Sequence, residues 1–197
     1  MSSAFLAAIF DLDGVITDTG VLHARAWKNV LDPLLSEPFD LNHDYRVYIA
    51  GRPRLEGLVE FLNSRAVDLS HQDTKRLCDK KNNIYLEYLQ SFDVPVNTAI
   101  LARIAVYAAA GVKIGVASSS KNAKLVLSKA NLVLPGIVVD GNDVEKNGLR
   151  PKPSNDIFVY TARLLGVNYD SCIIFEDSLA ALEQVSPARG VRVEISC

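Results

Sequence analysis

Two aspartates two residues apart, Asp11 and Asp13, close the apolar run Phe5 to Phe10. That run is short, apolar and stopped by charge and glycine, which predicts a buried strand. Carboxylates held this close raise each other's pKa unless a cation or hydrogen bonds compensate. Mg²⁺, a hard cation that takes oxygen ligands, suits the role. Gly14 lets the backbone turn tightly beside them. Taken alone, an Asp-x-Asp pair also reads as a solvated acidic turn, so the residues elsewhere have to decide. Ser118, Ser119, Ser120, Lys121 and Asn122 follow a second apolar run, Glu176 and Asp177 follow another, and Lys152 stands between Pro151 and Pro153.

A carboxylate can attack phosphorus and carry the group as an aspartyl-phosphate. Such transfer asks mainly for positioning and charge neutralisation. Asp11 suits the nucleophile, and Asp13, past the turn, a general acid-base. Asp11, Glu176 and Asp177 are candidates to hold Mg²⁺. The Ser118 hydroxyl and nearby backbone N–H groups, where a helix begins, can take phosphate oxygens. Lys152 can neutralise the remaining charge, and its flanking prolines fix its place. The ordinary alternative for Lys152 is a solvated surface lysine.

These groups need elements that bring them to one edge. Lys113–Ala117, Ile137–Asp140, Cys172–Phe175 and Val191–Ile195 are expected strands. Ile100–Ala110, Lys121–Ala130, Ser154–Leu165 (capped by Ser154) and about Leu179–Val185 are expected helices. Repeated strand–helix units imply a doubly wound, mostly parallel α/β sheet. Ligands in such sheets sit beyond the C-terminal strand ends, where the acids, hydroxyls and lysine fall. Between the first strand and this alternation lie helical periodicities: His23, Trp27, Val30 and Leu31; then Leu55, Leu58, Val59 and Leu62; then a helix from about Thr74 to Gln90. The expected organisation is a core of residues 1–18 and 95–197 with a small helical cap, 19–94, inserted after the first strand.

Bulk properties narrow the class. With 197 residues, 49% of them hydrophobic, the chain can bury a sizeable core. A net charge of −2, from 21 Lys+Arg against 23 Asp+Glu, gives no drive toward nucleic acid or an acidic membrane. No apolar run reaches the roughly 18 residues that span a bilayer, and Met1-Ser2-Ser3-Ala4 does not read as a signal peptide. Cys78, Cys172 and Cys197 form neither a metal pattern nor an even disulfide framework. Cys172 reads as a small core residue, and a monomer in a reducing cytoplasm is expected.

Four ordered motifs carry a family resemblance over about Phe5 to Val185. Asp11 to Val15, Ser118 ending its strand, Lys152 before Pro153-Ser154-Asn155-Asp156, and Glu176-Asp177-Ser178 together resemble the haloacid dehalogenase superfamily. Within it, further positions resemble the β-phosphoglucomutase family: Thr19, His23 and Trp27 after the first motif, Arg54 following Gly51, Lys81-Asn82, and Ser118 to Asn122. The resemblance implies phosphoryl transfer between Asp11 and a small sugar phosphate, with Asp13 as proton shuttle and Mg²⁺ held by Asp11, Asp177, the Asp13 carbonyl and Glu176 nearby. Thr19 and His23 join the catalytic set. Gly51, Arg54, Trp27, Lys81, Asn82, Ser118, Ser119, Lys121, Asn122 and Lys152 bind substrate or phosphate, and Arg54 takes the distal phosphate.

The chain departs from the family at Pro95-Val96-Asn97, where relatives have Pro-Gly, near Ala181, where they have glycine, and through Ser186 to Gly190. Relatives also continue beyond the last strand with a strand and a helix, so a sheet edge left open after Val191 is an expectation. Three readings follow: a sugar-phosphate mutase, a phosphatase of the same superfamily, and a truncated, catalytically silent binding domain.

Overall fold

The computed structural model describes residues 5–193. The expectations on Met1–Ala4, on Cys197 and on Glu194–Ile195 of the last strand lie outside them. The chain divides into two compact units, one of the residues up to Asp18 and from Val94, the other Thr19–Asp93.

Strand β1, Ala7–Phe10, is buried at every residue, as the central strand of a sheet covered on both faces must be. Three helices follow in the second unit: α1 (Gly20–Leu31), α2 (Arg54–Ser64) and α3 (His71–Ser91). A short 3₁₀ turn, Asp32–Leu34, and a π-helical turn, Tyr45–Ile49, lie between the first two. Trp27, Leu31, Phe39, Leu58, Phe61 and Cys78 share one core there. The buried Asp44 carboxylate, directly before the π-helical turn, takes Arg65 Nη2 at 2.7 Å and the Asp40 N–H at 2.9 Å. α3 begins three residues earlier than its apolar periodicity, because Ser70 caps it by accepting from the Asp73 N–H.

The core then continues with α4 (Thr98–Ala109), β2 (Lys113–Ala117), α5 (Ala123–Lys129), β3 (Ile137–Val139), α6 (Gly141–Lys146), α7 (Asp156–Leu164), β4 (Cys172–Glu176), α8 (Leu179–Leu182) and β5 (Arg189–Arg192). The five strands are all parallel, in the order β3-β2-β1-β4-β5. On one face α7 packs over Ala7, Ile9, Cys172 and Ile174. On the other Phe10 stacks on Phe175 at 4.5 Å, and Tyr107 of α4 lies 6.2 Å from the Phe175 ring. This is the doubly wound sheet that the alternating elements imply.

Besides α3, the helices α5 and α8 are shorter than expected, α8 ending at Leu182, and three further elements differ from the sequence expectation. The helix after Lys152 starts at Asp156, and Ser154 precedes its cap residue Asn155; the Ser154 hydroxyl still accepts from the Asp156 N–H at 3.3 Å. The additional helix α6 has almost no apolar period and is set by its cap: Asp140 accepts from the Asn142 and Asp143 N–H groups while Asp143 takes the Asp140 N–H. The last strand runs Arg189–Arg192 rather than from Val191, because Arg189 and Gly190 are drawn into the sheet, opposite Ile173 and Ile174. A Cβ on Gly190 would stand 2.9 Å from Val185 Cγ2, so glycine permits that close approach.

Candidate active site

The site begins where β1 ends. The Asp11 N–H donates to the Phe175 carbonyl at 2.8 Å, which sets Asp11 beside the end of β4. The chain then turns sharply: the Ile16 and Thr17 N–H groups both reach the Leu12 carbonyl, and the Gly14 N–H reaches Thr17 O at 2.7 Å. Gly14 has φ +93°, a left-handed conformation natural to glycine, and a Cβ there would collide with the Asp177 carboxylate. Backbone pairing from Asp18 N to Pro95 O and from Asn97 N to Ile16 O, both 2.9 Å, ties the outgoing and returning segments together.

Lys152 is buried, against the surface alternative, with 3% of its area exposed. Its ammonium donates to Asp11 Oδ1 at 2.5 Å, Glu176 Oε2 at 2.7 Å and the Ala117 carbonyl at 3.1 Å. One cation thus links the ends of β1, β2 and β4. Burial alone would lower its pKa, but Asp11 and Glu176 outweigh that and hold it above its ordinary range. Glu176 is also fixed at its other oxygen, which accepts from the Ser178 N–H at 3.1 Å. Sequence reasoning assigned Glu176 to metal alone. Its role as partner of Lys152 had no signal in spacing, since the two are 24 positions apart.

Asp11, Glu176 and Asp177 offer carboxylate oxygens within 4.8 Å of one another. Burial first, then the Glu176 charge, pushes Asp177 up to about 8. The same two causes raise Asp11 well above the usual carboxylate range, with Lys152 opposing them. Crowded, desolvated hard oxygens are the donor set that Mg²⁺ takes, so these residues fit that ion. On the far side of the turn Ser118 Oγ lies 3.4 Å from Asp13 Oδ2, and it accepts from the Ser120 N–H at 3.1 Å. Asn122 directly precedes α5, its N–H on Ser120 Oγ. Lys121 is turned to Glu145 at 2.7 Å, with half its side chain exposed, and is not gathered with the carboxylates.

The helical unit gathers a second set. His23 and Trp27 lie one turn apart on α1, and Lys81 sits opposite on α3. Lys81 Nζ is 2.5 Å from His23 Nδ1 and 5.4 Å from the Trp27 ring centre, and both Lys81 and Trp27 are buried. Thr19 is buried at the start of α1, its carbonyl accepting from the His23 N–H at 3.0 Å. Arg54 opens α2, after Gly51 with φ +74°, and its Nη2 donates to Asn82 Oδ1 at 2.6 Å. Burial lowers the Arg54 pKa. The sequence reading missed Tyr85, whose ring stacks on His23 at 3.9 Å; its position four residues after Lys81 was the available signal.

A parallel sheet whose central strand ends in paired aspartates, with a buried lysine between the first of them and an acidic pair, defines a class of phosphotransferases and phosphatases. The chain belongs to the haloacid dehalogenase-like hydrolases, whose family model matches residues 5–183, and it is an enzyme. A β-phosphoglucomutase of Mycobacterium bovis is 33% identical, the match spanning 89% of this chain and 75% of that protein. The crystal structure of a β-phosphoglucomutase from Clostridium difficile superposes with TM-score 0.82 at 27% identity, covering 98% of this chain and 85% of that one. A phosphorylated carbohydrates phosphatase of Thermotoga maritima is 26% identical over 92% of this chain and 81% of its own.

Proposed function

We propose that the protein is a β-phosphoglucomutase, converting β-glucose 1-phosphate to glucose 6-phosphate through the 1,6-bisphosphate. The supporting observation is the pair of cations in the helical unit: half-buried Arg54 held by Asn82, and buried Lys81 held by His23. A mutase must bind a second phosphate while the first reacts, so it needs cations beyond those at the carboxylates. Arginine suits a phosphate because its planar fork donates two parallel bonds.

In this mechanism phosphorylated Asp11 loses its phosphoryl group to the sugar 6-hydroxyl, and Asp13 takes the proton. The bisphosphate turns over, the Asp11 carboxylate attacks the 1-phosphate, and Asp13 returns the proton to the departing sugar oxygen. Ser118 and the N–H groups after it hold phosphoryl oxygens, joined by Ser119 and Asn122. Lys152 keeps Asp11 aligned and balances charge. Asp11, Asp177 and the Asp13 carbonyl, with Glu176 beside them, would hold Mg²⁺, which when bound neutralises charge on the carboxylates and the phosphoryl group. Exclusion of water directs the phosphoryl group to sugar rather than to hydrolysis.

A phosphatase is the second reading, supported by the Thermotoga relative. Phosphorus NMR on β-glucose 1-phosphate with Mg²⁺ separates them: glucose 6-phosphate is expected, and inorganic phosphate alone overturns the mutase. Arg54→Ala should cut that conversion about 10- to 150-fold, the loss of one charge-assisted contact of about 1.5–3 kcal/mol, and leave hydrolysis of a small phosphate ester nearly unchanged. Equal losses in both assays would count against a distal phosphate at Arg54.

A further inference from the structure

Helices α1 and α3 meet through two pairs of residues at one-turn spacing, His23 with Trp27 and Lys81 with Tyr85. Residues four apart share a helix face, so the two pairs interlock. The Tyr85 ring is fully buried and lies nearly parallel to the His23 imidazole, with centres 3.9 Å apart and 24° between the planes. The same ring presents its face to Lys81 Nζ at 4.7 Å, and Trp27 presents its own at 5.4 Å. The Lys81 ammonium is thus held by two aromatic faces and by His23 Nδ1 at 2.5 Å.

An ammonium only donates. Its approach to Nδ1 therefore requires that nitrogen to be the acceptor, with the imidazole proton on Nε2. Burying an ammonium is costly, and an aromatic face offsets part of the cost in a desolvated setting. A parallel ring against the imidazole also fixes its plane, and so the direction in which the Nδ1 lone pair points.

We propose that Tyr85 is a positioning residue: it holds His23 in the tautomer that accepts from Lys81 and fixes the place of the Lys81 ammonium inside the helical unit. The assignment rests on the mutase reading for its bearing on catalysis, because that reading gives His23 and Lys81 their place in turnover. Tyr85 touches no reacting atom and acts through these two. Leucine at this position retains part of the apolar volume but removes both ring contacts, whereas phenylalanine retains both.

Nitrogen-15 NMR of the wild-type protein carrying labelled histidine reads the tautomer directly, without turnover. His23 should show an unprotonated Nδ1 and a protonated Nε2; a protonated Nδ1 overturns the assignment. Tyr85→Phe should keep that signature and keep kcat for glucose 6-phosphate formation within about twofold, while Tyr85→Leu should blur it toward mixed tautomers and lower kcat about ten- to thirtyfold. A folded Tyr85→Leu variant with unchanged ring-nitrogen shifts overturns the proposal, as does a Phe variant that loses the signature. If Tyr85→Leu does not fold, the wild-type and Phe spectra decide. Should the wild-type protein make no glucose 6-phosphate, the mutase reading fails, while the ring-nitrogen signature still judges the role of Tyr85.

Discussion

Replacing Lys152 with methionine removes one charge and keeps most of the side-chain volume. In the folded protein that ammonium lies 2.5 Å from Asp11 and 2.7 Å from Glu176, and nearly all of it is buried. Its loss leaves Asp11, Glu176 and Asp177, within 4.8 Å of one another, without a covalently held cation. Removing one partner of a buried ion pair costs about 3–5 kcal/mol, because the other charge stays desolvated. Domains of this size are stable by about 5–15 kcal/mol, so Lys152→Met should fold but melt much earlier. A carboxyl group can escape the cost by taking a proton. Burial and Glu176 already raise Asp11, and losing Lys152 raises it further above its unfolded value of about 4. The folded variant then binds more protons than the unfolded chain, so its stability falls as pH rises through that window. The deficit against wild type should be largest near pH 8 and shrink toward pH 5.

Urea unfolding at pH 5 and pH 8 in chelator measures this, and added Mg²⁺ supplies an independent check. At a concentration one hundred times its Kd, Mg²⁺ should restore about 2.7 kcal/mol by mass action if the variant still binds it. Phosphoryl transfer should stay abolished, since the metal does not replace the bond that orients Asp11. A deficit below about 1 kcal/mol at pH 8 in chelator, or one that grows as pH falls, would refute the reasoning.

Asp11→Asn should remove all turnover and any acid-stable phosphate label, yet raise the melting temperature of the metal-free protein, because it deletes one of three crowded carboxylates; a labelled Asn variant would exclude the aspartyl-phosphate. Gly14→Ala should weaken Mg²⁺ binding in calorimetry and cost about 1–3 kcal/mol, since φ is +93° and the new methyl group meets Asp177. Asp156 is held well below the usual carboxylate range, first by Arg150, which reaches it at 2.8 Å and 3.1 Å. Its folded pKa is depressed, so Asp156→Asn should cost about 1 kcal/mol at pH 7, a value kept small by Arg150's exposure, with the difference from wild type shrinking progressively as pH falls from the unfolded value of about 4 toward the lower folded one; a difference as large at about pH 2 as at pH 7 would show that the carboxylate charge is not its source.

What the sequence made legible was whatever leaves a local signature. β2 runs Lys113–Ala117 as its apolar residues foretell, and Asp11 and the Glu176-Asp177 pair could be named because they close apolar runs. The helix faces of α1, α2 and α3 were readable from their periods. Less legible was anything settled by a cap or by close packing. Helix α6 exists through the reciprocal bonds of Asp140 and Asp143, and β5 starts early because Gly190 allows α8 to lie against it. Partnerships across the sheet were hidden for a different reason. Lys152 and Asp11 are 141 positions apart, and only the strand order places them together. Lys121 was nameable only from its place in a matching motif; its ion pair with Glu145 of the neighbouring α6 had no signal in spacing.

The charge balance at the strand ends connects these observations. Three carboxylates face one buried ammonium, which leaves two negative charges in a desolvated space. Burial first, and the crowding charges second, raise both Asp11 and Asp177. A proton on Asp177 could relieve the excess charge, but a protonated carboxyl is a poor metal ligand. A divalent cation relieves it fully and leaves the Asp11 carboxylate ionised, as a nucleophile must be. Lys152 alone is thus too little charge for the site to work and enough for the protein to fold. The excess that makes the metal-free site costly is the same excess that selects a hard divalent cation, so the site's stability and its chemistry rest on one imbalance.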